Sequence, residues 1–180
     1  SSKSWRSVCY GKGKFVAVGD KCAAYSTDGN SWASVTEEFS SKSWRSVCYG
    51  KGKFVAVGPE MAAYSTDGKN WTVIDSTQSS DISKYRWNSV CYGNGKFVAV
   101  AEWDDGDNKA VKKAVYSSDG VDWTKTDDIT NNKKRYKWGS VCYGDGKFVA
   151  VTLDSDKVVY SSDGKTWTET TLPFSGNWIA

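Results

Sequence analysis

Residues 1–19, SSKSWRSVCYGKGKFVAVG, return without a single change as residues 40–58. The centre of this block occurs twice more: WRSVCYGKGKFVAV starts at Trp5 and Trp44, WNSVCYGNGKFVAV at Trp87 and WGSVCYGDGKFVAV at Trp138. A second shared element follows each copy, AYSTDGNSW ending at Trp32, AYSTDGKNW at Trp71, VYSSDGVDW at Trp123 and VYSSDGKTW at Trp167. The leading tryptophans are separated by 39, 43 and 51 residues, and Trp178 lies 40 beyond the last of them. A period near 40 written in β-type residues predicts propeller blades or a similar array. A helical repeat of that length would need a 3.6-residue apolar period, which these segments lack.

Each repeat reads as four short strands. WxSVCYG alternates with period two, and the GxG that closes it is expected to supply the positive-φ positions of a tight turn. KFVAV is apolar on both faces, as a strand sandwiched between two neighbouring sheets must be. AYS leads into DG, a strong hairpin signal, and Trp with the residues after it opens the fourth strand. Radial packing buries both faces of such small sheets, so the fold class is all-β: a β-propeller of four-stranded antiparallel blades, four in this chain, closed at four or shared between chains. One domain over 1–180 is expected, with blades at about 5–43, 44–86, 87–137 and 138–174 and a fifth start or a ring-closing tail over 175–180. Pro59 and Pro173 both fall outside these strands.

The SxDGxxW between the third and fourth strands, Ser26 to Trp32 and its three counterparts, resembles a compact variant of the Asp-box (SxDxGxTW) of sialidase-type (BNR) propellers. Four copies in register extend the resemblance over nearly the whole chain. It implies a structural turn in which Asp ties the hairpin to backbone N–H groups and Trp packs onto the blade. Asp28, Asp67, Asp119 and Asp163 are therefore read as structural, in keeping with the habit of Asp in turns of bonding its own backbone.

Composition narrows the chemistry. The chain has no histidine, which excludes a Ser/His/Asp triad, a Cys/His pair and an HExxH metal site. A sialidase-like site needs an arginine cluster, whereas the arginines are Arg6, Arg45, Arg86 and Arg135, at or near one repeat position. No catalytic residue, cofactor or metal is expected. Cys9, Cys48, Cys91 and Cys142 share one repeat position on different blades, too far apart for disulfide geometry, and are read with Cys22 as small buried hydrophobes. Unpaired thiols favour a reducing compartment, whereas a lectin-like role favours the cell surface or secretion. A net charge of +3 gives no reason to expect nucleic acid, even with the basic run KKRYK at Lys133 to Lys137. No apolar stretch approaches a membrane span and no signal-peptide pattern opens the chain, so membrane insertion is not expected.

Comparing the repeats with one another separates scaffold from site. The YGxG and DG turns, which lie on one face of the disc, scarcely vary. The second-to-third loops and the connectors between blades, on the opposite face, differ in every repeat, and variable loops on a rigid scaffold are where binding residues concentrate. With the repeat positions removed, the tryptophans and tyrosines remaining before the tail are Trp103, Tyr85 and Tyr136. Tyr85 with Arg86, Tyr136 with Lys137, Glu60 in the second blade's loop, and Trp103 with Asp104 in the third's are the candidate ligand-binding residues. Aromatic platforms beside polar groups suit a sugar, and the same residue types dominate protein hot spots. DDGD at Asp104 to Asp107 lacks the spacing and closing Glu of a calcium loop and reads as a solvated hairpin tip.

These features point to a non-catalytic, lectin-like or adhesive module that binds on the variable face. The alternatives are a protein-interaction scaffold or a structural part of a larger surface or viral assembly. FSGNWIA aligns with the start of a further repeat, consistent with a piece of a longer propeller, a tail that closes the ring, or homo-oligomers whose chains share one ring. The verbatim copy fits recent duplication or design by repetition.

Overall fold

The computed structural model describes residues 3–102, 114–126, 129, 136–153 and 155–174. Four antiparallel sheets follow one another along the chain, each in simple meander order. Blade 1 is β1 (Ser4–Gly11), β2 (Lys14–Asp20), β3 (Cys22–Ser26) and β4 (Ala33–Ser34). After a one-turn helix, α1 (Glu37–Ser40), blade 2 is β5 (Ser46–Gly50), β6 (Lys53–Gly58), β7 (Met61–Ser65) and β8 (Thr72–Ile74). Blade 3 is β9 (Arg86–Gly93), β10 (Lys96–Glu102), β11 (Ala114–Ser117) and β12 (Thr124–Lys125), and blade 4 is β13 (Trp138–Gly144), β14 (Lys147–Thr152), β15 (Lys157–Ser161) and β16 (Thr168–Thr171). The first strands line up, β1 on β5, β5 on β9 and β9 on β13, as in a β-propeller.

The core lies between blades. The second strands bury both faces: Phe54 to Val57 and Phe97 to Ala101 are fully enclosed. Each layer combines the outgoing face of one blade with the incoming face of the next. Val16, Val18 and Ala23 of blade 1, for example, meet Trp44, Val47, Ala56, Ala63 and Trp71 around blade 2. The connectors supply wedges for these layers. Phe39 of α1 stacks between Trp44 (4.4 Å, 19°) and Trp71 (4.2 Å, 12°), and its carbonyl accepts the Trp44 Nε1–H at 2.8 Å. Ile82 does the same for Trp87, whose Nε1–H donates to the Ile82 carbonyl at 2.6 Å.

The first turn of each blade differs from expectation in a useful way. The residue between the glycines and the second glycine take the positive φ, as Lys12 (48°) and Gly13 (74°), Lys51 (47°) and Gly52 (78°), Asn94 (44°) and Gly95 (73°), and Asp145 (45°) and Gly146 (74°). That is the two-residue hairpin pattern with both central φ values positive. The first glycine has another reason to be there. A Cβ on Gly11, Gly50 or Gly93 would sit 2.0 Å from Cγ of Tyr49, Tyr92 or Tyr143, so each glycine is the socket for the next blade's tyrosine.

The aspartate turns are alike in all four blades. Asp28 Oδ1 accepts the N–H groups of Asn30 (2.9 Å) and Ser31 (2.8 Å) and the Ser26 hydroxyl (2.9 Å). Asp67, Asp119 and Asp163 repeat the pattern with Lys69 and Asn70, Val121 and Asp122, and Lys165 and Thr166. The two N–H bonds hold the Asp28 carboxyl down at about 2. At Asp67, Asp119 and Asp163 partial burial is the largest single influence and pushes upward, but the hydrogen bonds together outweigh it and the net direction is down.

Candidate functional site

The meander places the second-to-third loops and the blade connectors on one face, and there a loop and a connector meet at the junction of blades 2 and 3. Glu60, exposed and at φ 61°, donates its N–H to the Tyr85 carbonyl at 2.9 Å, while Pro59 bridges to Arg86. The connector leading there is braced internally. Asp75 Oδ1 accepts the Thr77 N–H (2.8 Å) and hydroxyl (2.7 Å), which lower its pKa, and the Gln78 side chain caps the Asp75 N–H at 3.0 Å. Asp81 Oδ2 accepts the Lys125 N–H at 3.3 Å, tying the connector to blade 3's fourth strand. Loop backbone is thereby held in place, and charges of both signs stand on it: Glu60, Asp81, Lys84 and Arg86.

Of the residues singled out from sequence, the structure brings Glu60, Tyr85 and Arg86 together. Tyr136 and Lys137 lie one blade further on, where the Lys137 carbonyl accepts the Leu153 N–H at 2.7 Å. The Tyr85 ring is half-buried and meets Trp87 edge-on (5.6 Å, 77°). Tyr136 is buried in the layer between blades 3 and 4, 5.8 Å from Trp138. Both rings are thus engaged in packing over the connectors. Trp103, Asp104 and the rest of the DDGD segment lie outside the described residues, as does Lys133 to Arg135 of the basic run.

A second concavity was not foreseen. Trp5, Val8, Ala17, Ala24 and Trp32 line an apolar pocket of about 440 Å³ on the outward face of blade 1. All five have identical counterparts in blade 2, so comparison of the repeats does not set them apart. What sets them apart is environment: Trp5 and Val8 stay exposed on the incoming face of blade 1, whereas Trp44 and Val47 are buried against blade 1. A related correction concerns the cysteines. Cys22 is buried and Cys9, Cys48 and Cys91 half-buried, but Cys142, on the outgoing face of β13, is exposed. Burial pushes the Cys9 and Cys91 thiols up to about 12 and raises Cys48 strongly. Among the described residues, no group of three or more His, Cys, Asp or Glu is placed to hold a metal ion.

No protein-family model and no curated protein matches the sequence. Solved structures of similar fold do. YCF48 bound to D1 peptide superimposes with a TM-score of 0.63 at 16% identity, over 96% of this chain and 53% of that one. A streptogramin B lyase gives 0.72 at 8% identity, over 94% and 55%. The GH74 enzyme of Niastella koreensis gives 0.62 at 19%, over 96% of this chain and 25% of that one. The chain spans about half the length of the first two. At these identities the likeness is one of fold, and the fold is the β-propeller.

Proposed function

We propose that this chain is a non-catalytic binding module that engages a protein segment across the face of variable loops, centred on the junction of blades 2 and 3. The observation that carries the reading is the braced junction of Glu60, Tyr85 and Arg86: Glu60 and Lys84, exposed charges of opposite sign, stand on backbone that needs little further ordering to bind. Preorganised loops lower the entropic cost of association. Propellers with known ligands support the same direction, since YCF48 has been seen bound to D1 peptide. Carbohydrate binding is the second reading, favoured by the aromatic content of this face. It is placed second because Tyr85 and Tyr136 pack against Trp87 and Trp138 instead of offering a free ring to a sugar.

Selection of a displayed random-peptide library on the folded chain, run beside a glycan array, tests the reading. Enriched peptides should lose at least tenfold in affinity to Glu60→Lys or Lys84→Glu and bind Lys12→Ala, on the opposite face, unchanged. Glu60→Lys preserves the backbone because Lys21 holds the same position in blade 1 at φ 53°. Saccharide hits without peptide hits would replace the first reading with the second. Peptides indifferent to both charge changes would remove the site from this junction.

A further inference from the structure

The two outward faces of the arc complement one another. Three internal interfaces repeat the same contacts. The first is a tyrosine over a glycine: Tyr49 on Gly11, Tyr92 on Gly50 and Tyr143 on Gly93. The second is a serine hydroxyl that accepts a backbone N–H of the next blade: Ser7 from Val47 (3.2 Å), Ser46 from Val90 (3.2 Å) and Ser89 from Val141 (3.1 Å). The third is a valine methyl against the glycine of the next aspartate turn: Val16 at Gly68, Val55 at Gly120 and Val98 at Gly164.

Among the described residues, blade 4 presents the outgoing half of this set uncovered. A Cβ on Gly144 would meet nothing within 4 Å, and Ser140 and Val149 occupy the places of Ser89 and Val98. Blade 1 presents the incoming half. Tyr10 and Val8 are 59% and 60% exposed, and a Cβ on Gly29 would meet only Phe15 of its own blade. Tyr10 is already posed for its socket: it lies 4.7 Å from Phe15 at 51°, against 4.8 Å and 58° for Tyr49 with Phe54 and 4.7 Å and 54° for Tyr92 with Phe97. The wedge matches too. Phe174, just after β16, is 76% exposed, and the pocket between Trp5 and Trp32 corresponds to the gap between Trp44 and Trp71 that Phe39 fills.

We propose that two copies of this chain join head to tail, blade 4 of each receiving blade 1 of the other, to close one eight-bladed ring. Tyr10 enters the Gly144 socket, Ser140 accepts the Val8 N–H, and Phe174 fills the pocket lined by Trp5, Val8, Ala17, Ala24 and Trp32. A head-to-tail contact closes a ring when its rotation permits, and here it is the rotation the blades already use. The four blades cover just over half of two solved chains of similar fold, so two arcs match about the length of one such chain. One contact is mismatched. Lys12, Lys51 and Asn94 donate to the carbonyls of Thr66, Ser118 and Ser162 (3.1, 2.9 and 3.1 Å). The fourth member of that series is Asp145, which offers a carboxylate to the Thr27 carbonyl and cannot donate.

Sedimentation equilibrium on the 180-residue chain should give twice 19.8 kDa. Gly144→Val fills the socket without touching the rest of the arc and should give 19.8 kDa with an unchanged circular-dichroism spectrum. Tyr10→Ala, which removes the knob instead, should do the same. Asp145→Asn, which restores the donor found in Asn94 and suits the positive φ, should tighten the pair several-fold. Thiol labelling reads the same event locally: Cys142 should be protected in the unaltered chain and react at least tenfold faster in Gly144→Val. A single-chain mass for the unaltered protein, a mass that grows without limit with concentration, or a pair that survives both Gly144→Val and Tyr10→Ala would each overturn the proposal.

Discussion

Blades 1 and 2 contain the same nineteen consecutive residues, yet Trp5 is 54% exposed and Trp44 fully enclosed, and Val8 is exposed where Val47 is 5% accessible. Their first turns coincide, and so does the register of the paired strands from Ser7 and Ser46 onward, with Val8 opposite Ala17 as Val47 is opposite Ala56. Local sequence specifies the blade, and the neighbour decides whether its face is core or surface. Identical residues therefore contribute unequally to stability.

The largest effect that would break this comparison is truncation of the paired tryptophans in a chain held single by Gly144→Val. Trp44→Ala removes a buried indole, both its stacking on Phe39 and its hydrogen bond to the Phe39 carbonyl, and should cost about 3–5 kcal/mol by urea unfolding. Trp5→Ala leaves a surface already half in water and should cost roughly 1–2 kcal/mol. Equal costs would mean that blade 1's face is covered from elsewhere.

The socket glycines sharpen the same point with the smallest possible change. Gly50→Ala drives a methyl into the Tyr92 ring and should destabilise by about 1–3 kcal/mol through overpacking. Gly144→Ala, in the same YG context, should stay within about 0.5 kcal/mol in the single chain. Ser89→Ala and Ser140→Ala form the next pair. The first leaves the Val141 N–H without its acceptor in a buried layer and should cost about 1 kcal/mol, whereas the second should cost the single chain nothing measurable.

Much of the fold was legible from the sequence because a propeller blade is a local object. Strand periods, DG turns and the repeat length lie within about 40 residues, and the structure returns them in every copy. The role of the first glycine in YGxG was not legible, because its constraint comes from a tyrosine some forty or more residues away on another sheet. The candidate site was half legible. Residues such as Glu60, Tyr85 and Arg86 converge because a loop and a connector meet at one junction, as the blade order required. Tyr136 was chosen for its type, and burial beneath its connector shows only once the wedge residues are placed. The pocket around Trp5 and Trp32 was not legible because repeat comparison treats equivalent positions as equivalent environments, which fails where one copy's face is left exposed.

The aspartate turns come nearest to the opposite case, since each carboxylate is bonded within its own turn and should respond to pH much alike in exposed and enclosed blades. Their carboxyls are all depressed in the folded chain, Asp28 to about 2, chiefly by the N–H groups of Ser31 and Asn30. The unfolded chain, with ordinary carboxyls near 3.9, binds more protons than the folded one between the folded and unfolded values, so stability must rise with pH across that interval. The turns' contribution is complete above about pH 5 and is lost as pH falls toward 2. Because Asp28 is exposed and the other three carboxylates are only half-buried, each contribution is screened by water and is small beside those of the buried layers. Urea midpoints should be flat from pH 7 to pH 5 and fall below pH 4, and Asp28→Asn and Asp67→Asn should each flatten that fall by a similar amount. A dependence that vanished with Asp67→Asn alone would mean that the turns, like the faces, take their strength from the neighbouring blade.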